Sequence, residues 1–308
     1  MIRDPLAAYP GSVVLDGGLA TELEERGADL RDPLWSARVL VEDPGRIVDV
    51  HRAYVDAGAD VLISASYQAS FEGFAARGFD QSAAASLLRR SVELARDAAA
   101  TVERPVLVAA SVGPYGAVLA NGAEYTGDYG LGDATAARAA LRAFHLPRAE
   151  ALADAAPDLL AIETIPSLVE AEALVEVLET LGDVPAWVSF SCRDEAHLSD
   201  GTRIADAVDV VASCSRVVAV GVNCTPPAFL PDLLGVVVGR TSKALVAYPN
   251  RGATWDAGTK TWTGDAVPGG FGPLALELRD AGARLIGGCC GTRPADIADV
   301  LNAVRSAR

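Results

Sequence analysis

The chain has 308 residues, half of them hydrophobic, with few aromatics, and its formal net charge is −15. No Lys/Arg cluster is present, which argues against nucleic acid as a partner, and no apolar stretch approaches the ~20 residues that span a bilayer. The N-terminus lacks an apolar core of signal-peptide length, so a cytoplasmic protein is expected, whose five cysteines point to metal binding or catalysis rather than disulfides.

Along the chain, apolar β-branched runs alternate with longer amphipathic ones. A strand at 12–18 ("SVVLDGG") precedes a helix at 46–58 that ends at Gly58, and a strand at 60–66 precedes a helix at 81–100. A strand at 105–113 leads to a helix at 134–156, where Pro147 predicts a kink or a break into two helices. The later pairs are strand 158–164 with helix 167–182, strand 186–192 with helix 204–214, and strand 217–224 with helix 227–239. Strands at 244–250 and 284–290 follow, with helices at 272–282 and 293–307, and 255–262 reads as a loop. Eight strand–helix units imply parallel strands joined by right-handed crossovers. They fit an α/β fold of the (β/α)8 TIM-barrel type, a single domain over residues 1–308, better than the competing open doubly wound sheet.

Barrel enzymes build their sites at the C-terminal ends of the strands. There the chain places Asp16-Gly17-Gly18, Gln68, Ser111, Glu163, Asn223-Cys224 and Cys289-Cys290. Cys224, Cys289 and Cys290 end strands six and eight, which flank strand seven, and their thiolates suit a tetrahedral Zn²⁺ site at about 2.3 Å. Adjacent cysteines cannot both face inward from a regular strand, so the Gly287-Gly288 pair is expected to let the backbone deviate. Two alternatives stand beside this reading. Free cysteines are often small buried hydrophobes, the role expected of Cys214 and Cys192, and "GGCCGT" also fits a phosphate cradle at a helix N-terminus. Asp16-Gly17-Gly18 also reads as turn chemistry. Glu163 ends an apolar strand, where a carboxylate needs a partner such as a substrate ammonium, an arginine or a buried network.

"GVNC" followed by "GGCCGT" resembles the homocysteine S-methyltransferase family of zinc-dependent barrels. The resemblance runs from about Val13 to about Ala303 through "LDGGLATELEERG", "LWSARVL", "SASYQASFEGFAARG", "SVGPYGAVLANGAEYTGDYG", "IETIPS", "HLSDGT" and "YPNRG". It is nearest to the members that use S-methylmethionine. The resemblance implies that Cys224, Cys289 and Cys290 bind Zn²⁺, with the homocysteine thiolate as fourth ligand. It implies that Asp16 and Glu163 bind the substrate ammonium, that the amides around Gly17 and Gly18 meet its carboxylate, and that Gln68 and Asn223 lie in the substrate site.

Such chemistry needs a thiolate, and a free thiol with a pKa near 8.5 is only a few per cent ionised at neutral pH. A divalent ion held by three cysteinates keeps a bound sulfur electron-rich, while the donor is a sulfonium: S-methylmethionine or S-adenosylmethionine, with betaine as an alternative donor and selenocysteine as an alternative acceptor. No general base is required. His51 and His145 are expected to be structural and His197 to serve a loop, while Trp255, Trp262, Tyr125 and Tyr129 are candidates to face the cation. A metal-free aldolase or lyase would need a lysine at a strand end, which neither Lys243 nor Lys260 supplies. A non-catalytic zinc- or homocysteine-binding barrel is the third reading. The expected partners are small molecules only, and oligomeric state is not legible.

Overall fold

The eight strands lie at Val13–Val14 (β1), Val61–Ile63 (β2), Leu107–Val112 (β3), Leu159–Ile165 (β4), Ala186–Phe190 (β5), Val217–Asn223 (β6), Ala244–Tyr248 (β7) and Leu285–Ile286 (β8). The computed structural model describes residues 4–30, 36–252, 254–256, 261–263, 267 and 269–306. All neighbouring strands pair in parallel, in the order β1-β8-β7-β6-β5-β4-β3-β2. A parallel bridge between Leu15 and Val61 brings the two ends of that order together, so the sheet curls into a (β/α)8 barrel rather than an open doubly wound layer.

Alternation along the strands sorts the side chains. Val13, Leu15, Val61, Ala109, Leu159, Ala161, Trp187, Ala219, Val246 and Leu285 fill the interior. Val14, Leu62, Val108, Leu160, Ile162, Val188, Val220 and Ala247 face out and pack under the helices. The lower end is plugged by a 3-10 turn, Pro5–Ala8, whose Leu6 is buried in the interior cluster. Continuing the same inward parity toward the C-terminal rim gives Ser111, Glu163, Ser189, Asn223 and Tyr248. The interior thus changes from apolar to polar over one layer.

Three expectations need correction. The helix Ala134–Ala153 runs unbroken through Pro147. Its buried face, including Leu141, Phe144, His145, Arg148, Ala149 and Leu152, holds it to the barrel, and tertiary packing outweighs one lost backbone bond. The segment read as a loop at 255–262 contains an antiparallel pair, Thr254–Asp256 with Thr261–Thr263. The first and last barrel strands are two residues long rather than seven, because beyond Val14 and Ile286 the chain leaves the ladder for the rim. The side chains of Trp255 and Trp262, residue Lys260, and Leu34-Trp35 of the "LWSARVL" motif lie outside the described residues.

Candidate metal centre and substrate pocket

Cys224 follows β6 directly, and Cys289 and Cys290 follow β8 after two glycines. The Cys224 and Cys290 sulfurs are 3.5 Å apart and those of Cys289 and Cys290 3.9 Å, and all three lie within 4.8 Å of one another. A tetrahedral zinc with bonds of about 2.3 Å sets its sulfur ligands about 3.8 Å apart, so the trio fits such an ion. Among the described residues no other group of His, Cys, Asp or Glu side chains has this arrangement. Three protein ligands is also the number found where a metal keeps a coordination position for substrate.

The local backbone explains how adjacent cysteines converge. β8 stops at Ile286, and Cys289 and Cys290 enter a turn closed by the Thr292 N–H donating to the Cys289 carbonyl at 3.2 Å, with Gly291 at φ +79°. Gly287 and Gly288 are needed for closeness rather than for a left-handed backbone. A Cβ at 287 would lie 2.6 Å from the Leu15 Cβ, and one at 288 2.5 Å from the Thr292 hydroxyl. Cys224 itself is left-handed at φ +47°, as is Thr164 at φ +61°. Non-glycine residues persist there only when their surroundings over-determine them.

Asn223 supplies that constraint. Its Oδ1 accepts from the Thr164 N–H at 2.7 Å and the Ser189 hydroxyl at 2.8 Å, and its Nδ2 donates to the Thr164 hydroxyl at 2.7 Å and lies 4.0 Å from the Cys289 sulfur. The amide expected among the substrate contacts is therefore occupied within the protein. Contacts with the Cys289 and Cys290 sulfurs hold the Cys224 thiol well below its usual range, and contact with Cys224 pushes the other two up.

Two acids line the floor. Glu163 accepts from the Ser111 hydroxyl through Oε1 and from the Tyr248 hydroxyl at 3.1 Å through Oε2. Burial pushes its carboxyl up to about 7, against these hydrogen bonds. Asp16 is 2% exposed. One of its oxygens accepts the Ile63 N–H at 2.8 Å, while the other has no partner among the described residues. Burial raises its carboxyl well above the usual range, and the charge of Glu163 adds to this. Gln68 donates Nε2 to the Ala117 carbonyl at 3.0 Å and leaves Oε1 buried without a partner. Gly17 and Gly18 are held tightly: a Cβ at 17 would lie 2.8 Å from the Thr292 hydroxyl and one at 18 2.7 Å from the Cys289 carbonyl. The Gly18 N–H already donates to Thr292, so of this pair only the Gly17 amide is without a partner among the described residues.

Over the rim lies the segment after β3, with a short helix at Tyr115–Leu119 and a 3-10 turn at Ala123–Tyr125. The Tyr125 hydroxyl sits 3.5 Å from the Cys224 sulfur. Tyr129 is turned away, its hydroxyl donating to Glu170 at 2.6 Å. Glu170, fully buried on the helix Leu168–Thr180, also accepts the Tyr115 N–H at 2.6 Å and meets His145 Nε2 at 2.8 Å. Sequence reasoning missed Ser111 and Tyr248 as the partners of Glu163, and missed Glu124. The first two were detectable from inward parity; Glu124, in a loop, carries no such signal.

The remaining candidates fall outside the site. Cys192 and Cys214 are buried away from the trio. His51 is buried with neither ring nitrogen partnered among the described residues, and burial lowers its pKa to about 4, which keeps it neutral. His197 pairs with Asp194 at 2.8 Å within its own loop. Lys243 donates to the carbonyls of Cys214 and Val217, at the far end of β7 from the rim. No described helix is long and apolar enough to cross a membrane.

Comparison with known proteins identifies a family. The profile described as homocysteine S-methyltransferase matches residues 13–304. The chain is 50% identical to the homocysteine S-methyltransferase of Escherichia coli, covering 93% of each chain. It is 42% identical to the selenocysteine Se-methyltransferase of Brassica oleracea, covering 96% of this chain and 90% of the relative. The crystal structure of the E. coli homocysteine methyltransferase MmuM in its metallated form superposes with a TM-score of 0.85 at 46% identity, covering 98% of this chain and all of the other.

Proposed function

The chain belongs to the homocysteine S-methyltransferase family and is a methyltransferase; from that premise we propose that it moves a methyl group from a sulfonium donor, S-methylmethionine or S-adenosylmethionine, to L-homocysteine, giving methionine, with Zn²⁺ held by Cys224, Cys289 and Cys290. The observation that carries this reading is the sulfur trio at 3.5 and 3.9 Å spacing, set beside an acidic floor whose Asp16 oxygen has no partner among the described residues. When bound, the ion supplies charge stabilisation that keeps the acceptor sulfur a thiolate at neutral pH.

The chain's own residues do the rest. Asp16 and Glu163 take the acceptor's ammonium, with Ser111 and Tyr248 fixing the Glu163 carboxylate, and the Gly17 amide faces the acceptor's carboxylate. This anchors the amino-acid end and leaves the sulfur end at the cysteines. Tyr125, packed on Cys224, excludes water from the place where opposite charges meet, and that charge cancellation is favoured in a dry site. A carbon–sulfur bond forms at the acceptor while the donor's breaks, its electron pair staying on the departing thioether. No proton moves in this step, so none of the three histidines is required.

The similarity to a selenocysteine Se-methyltransferase supports a second reading, in which a selenolate is the acceptor. The test is zinc content together with product formation, supplying homocysteine or selenocysteine with each donor separately. Zinc-free protein that is fully active would overturn the cysteine assignment, and zinc-loaded protein inert with every pair would leave a binding role.

A further inference from the structure

We propose that Glu124 is the group that holds the positive charge of the methyl donor. The inference rests on the reading above and deepens it: the two floor acids serve the acceptor, and Glu124 serves the second substrate.

Its placement is fixed by the loop over the rim. The Glu124 carbonyl accepts from the Ser191 hydroxyl at 3.2 Å. Its backbone nitrogen packs so tightly on Gly116 that a Cβ there would come within 2.5 Å. The next side chain, Tyr125, reaches the Cys224 sulfur at 3.5 Å. Glu124 Oε2 is fully shielded from solvent and has no hydrogen-bond partner among the described residues. No lysine or arginine pairs with it there. Burial, with the charge of Cys224 adding to it, pushes this carboxyl up to about 7, and Cys290 senses its charge in turn. A carboxylate oxygen shielded from solvent on a half-buried residue, in the field of Cys224, is costly unless something cationic joins it.

Among the described residues no lysine or arginine supplies such a cation. The buried Arg148 directs its two terminal nitrogens to the carbonyls of Gly113, Ser66 and Tyr67 and forms no bond to Glu124. The acceptor's ammonium goes to Asp16 and Glu163 below the cysteines. Glu124 lies on the roof, where a second substrate must enter to stand in line with the acceptor sulfur. A sulfonium meets that requirement; a neutral or anionic methyl carrier does not.

The chemistry supplies a signature. Positive charge on the donor sulfur fades as the methyl leaves, so a carboxylate beside it stabilises the bound ground state more than the transition state. Removing the charge therefore raises the donor KM without lowering kcat in proportion. A residue that merely supported the loop would lower kcat and disturb both substrates.

The experiment compares zinc-loaded wild type, Glu124→Gln and Glu124→Asp, with zinc content and melting temperature as controls. With homocysteine saturating, Glu124→Gln should raise the S-methylmethionine KM by ~10- to 100-fold with kcat within about threefold and the homocysteine KM unchanged. Glu124→Asp keeps the charge one methylene further back and should fall between. As a probe independent of turnover, S-methylmethionine and its uncharged carbon isostere, with CH in place of S⁺, are compared as ligands by calorimetry; the preference for the charged form should shrink in Glu124→Gln. An unchanged donor KM, a parallel rise in both KM values, or a preference retained in full overturns the assignment. If Glu124→Gln does not fold, Glu124→Asp decides, and a donor KM equal to wild type overturns it. A wild type that transfers no methyl from any sulfonium brings down the underlying reading, and this one with it.

Discussion

Replacing Asn223 by Ala separates a residue that holds the cysteines from one that touches substrate. Asn223 is fully buried at the end of β6, and its amide ties together Thr164 and Ser189 beside Cys224. Truncation leaves the Thr164 N–H buried without an acceptor, at about 1–3 kcal/mol, and removes a second bond worth about 1 kcal/mol. Ser189 keeps a partner in the Tyr248 hydroxyl at 2.7 Å, so its loss is smaller. The sum is a destabilisation of about 3 kcal/mol, or roughly a 5 °C drop in melting temperature for a chain of this size. It also removes the anchor beside Thr164 and Cys224, whose left-handed conformations persist only when their surroundings over-determine them. Relaxed, Cys224 no longer points its sulfur at Cys290, and metal affinity should fall by ~10- to 100-fold, the usual cost of losing a group that orients a ligand. Chelator competition measures the affinity, and melting with and without zinc measures the rest. Metal affinity within twofold of wild type, accompanied by a rise in homocysteine KM alone, would refute this account and return Asn223 to the substrate contacts.

Three further outcomes follow from the geometry. Cys290→Ser removes the sulfur that approaches both others; purified protein should lose stoichiometric zinc and all methyl transfer while its far-ultraviolet dichroism is unchanged, and retained activity would exclude the trio as the metal site. Gly221→Ala would place a Cβ 1.8 Å from the Val246 carbonyl on the neighbouring strand, a clash with backbone that should cost about 3 kcal/mol or more, seen as insoluble protein or a strongly lowered denaturation midpoint. Glu163, with its carboxyl raised from 4.5 to about 7, keeps a proton in the folded state that the unfolded chain has released. Its contribution is complete below about pH 4.5 and is lost as pH rises through about 7, up to about 3 kcal/mol. Denaturant titrations across this range should show that fall in wild type and a flatter profile in Glu163→Gln; parallel profiles would show that burial does not shift this group.

The barrel was legible because each strand is an apolar run covered on both faces and each helix carries its own period. Less visible was how little of each run forms ladder: "RLIGGCC" reads as one strand, yet only Leu285 and Ile286 pair, since the glycines that bring the chain against Leu15 also end its regular geometry. The cysteine trio was readable because three of the five cysteines follow strands six and eight. The grip on Glu163 was not, because a serine and a tyrosine in apolar strands look like ordinary interior residues until the inward parity of three strands is counted together. Glu124 was hidden for a different reason: its meaning lies in a partner it lacks, and absence of a partner is a property of three-dimensional surroundings. Pro147 misled in the opposite direction. A proline signals a kink or a break from sequence alone, but a helix of 20 residues with one buried face retains enough contacts to continue as one element through Pro147.

The electrostatics of the rim make sense only with both substrates counted. Three cysteines, the buried Asp16 and Glu163 and the half-buried Glu124 gather at the rim, and like charges so placed raise one another's cost. A protein selected for stability alone would answer with a lysine or arginine. Arg148 shows that a cation fits in the vicinity: it is fully buried and approaches the Phe144 ring at 5.7 Å. Yet its guanidinium braces the loops after β2 and β3 through their carbonyls, at 2.8, 2.8 and 2.5 Å, and pairs with none of the rim carboxylates. On the proposed reading, that negative charge is balanced by ligands: a divalent ion at the sulfurs, an ammonium at the floor and a sulfonium under the roof. On the proposed reading, the sulfonium becomes a neutral thioether when the methyl moves and loses its attraction to Glu124, so the same charge that draws in the donor favours release of its product.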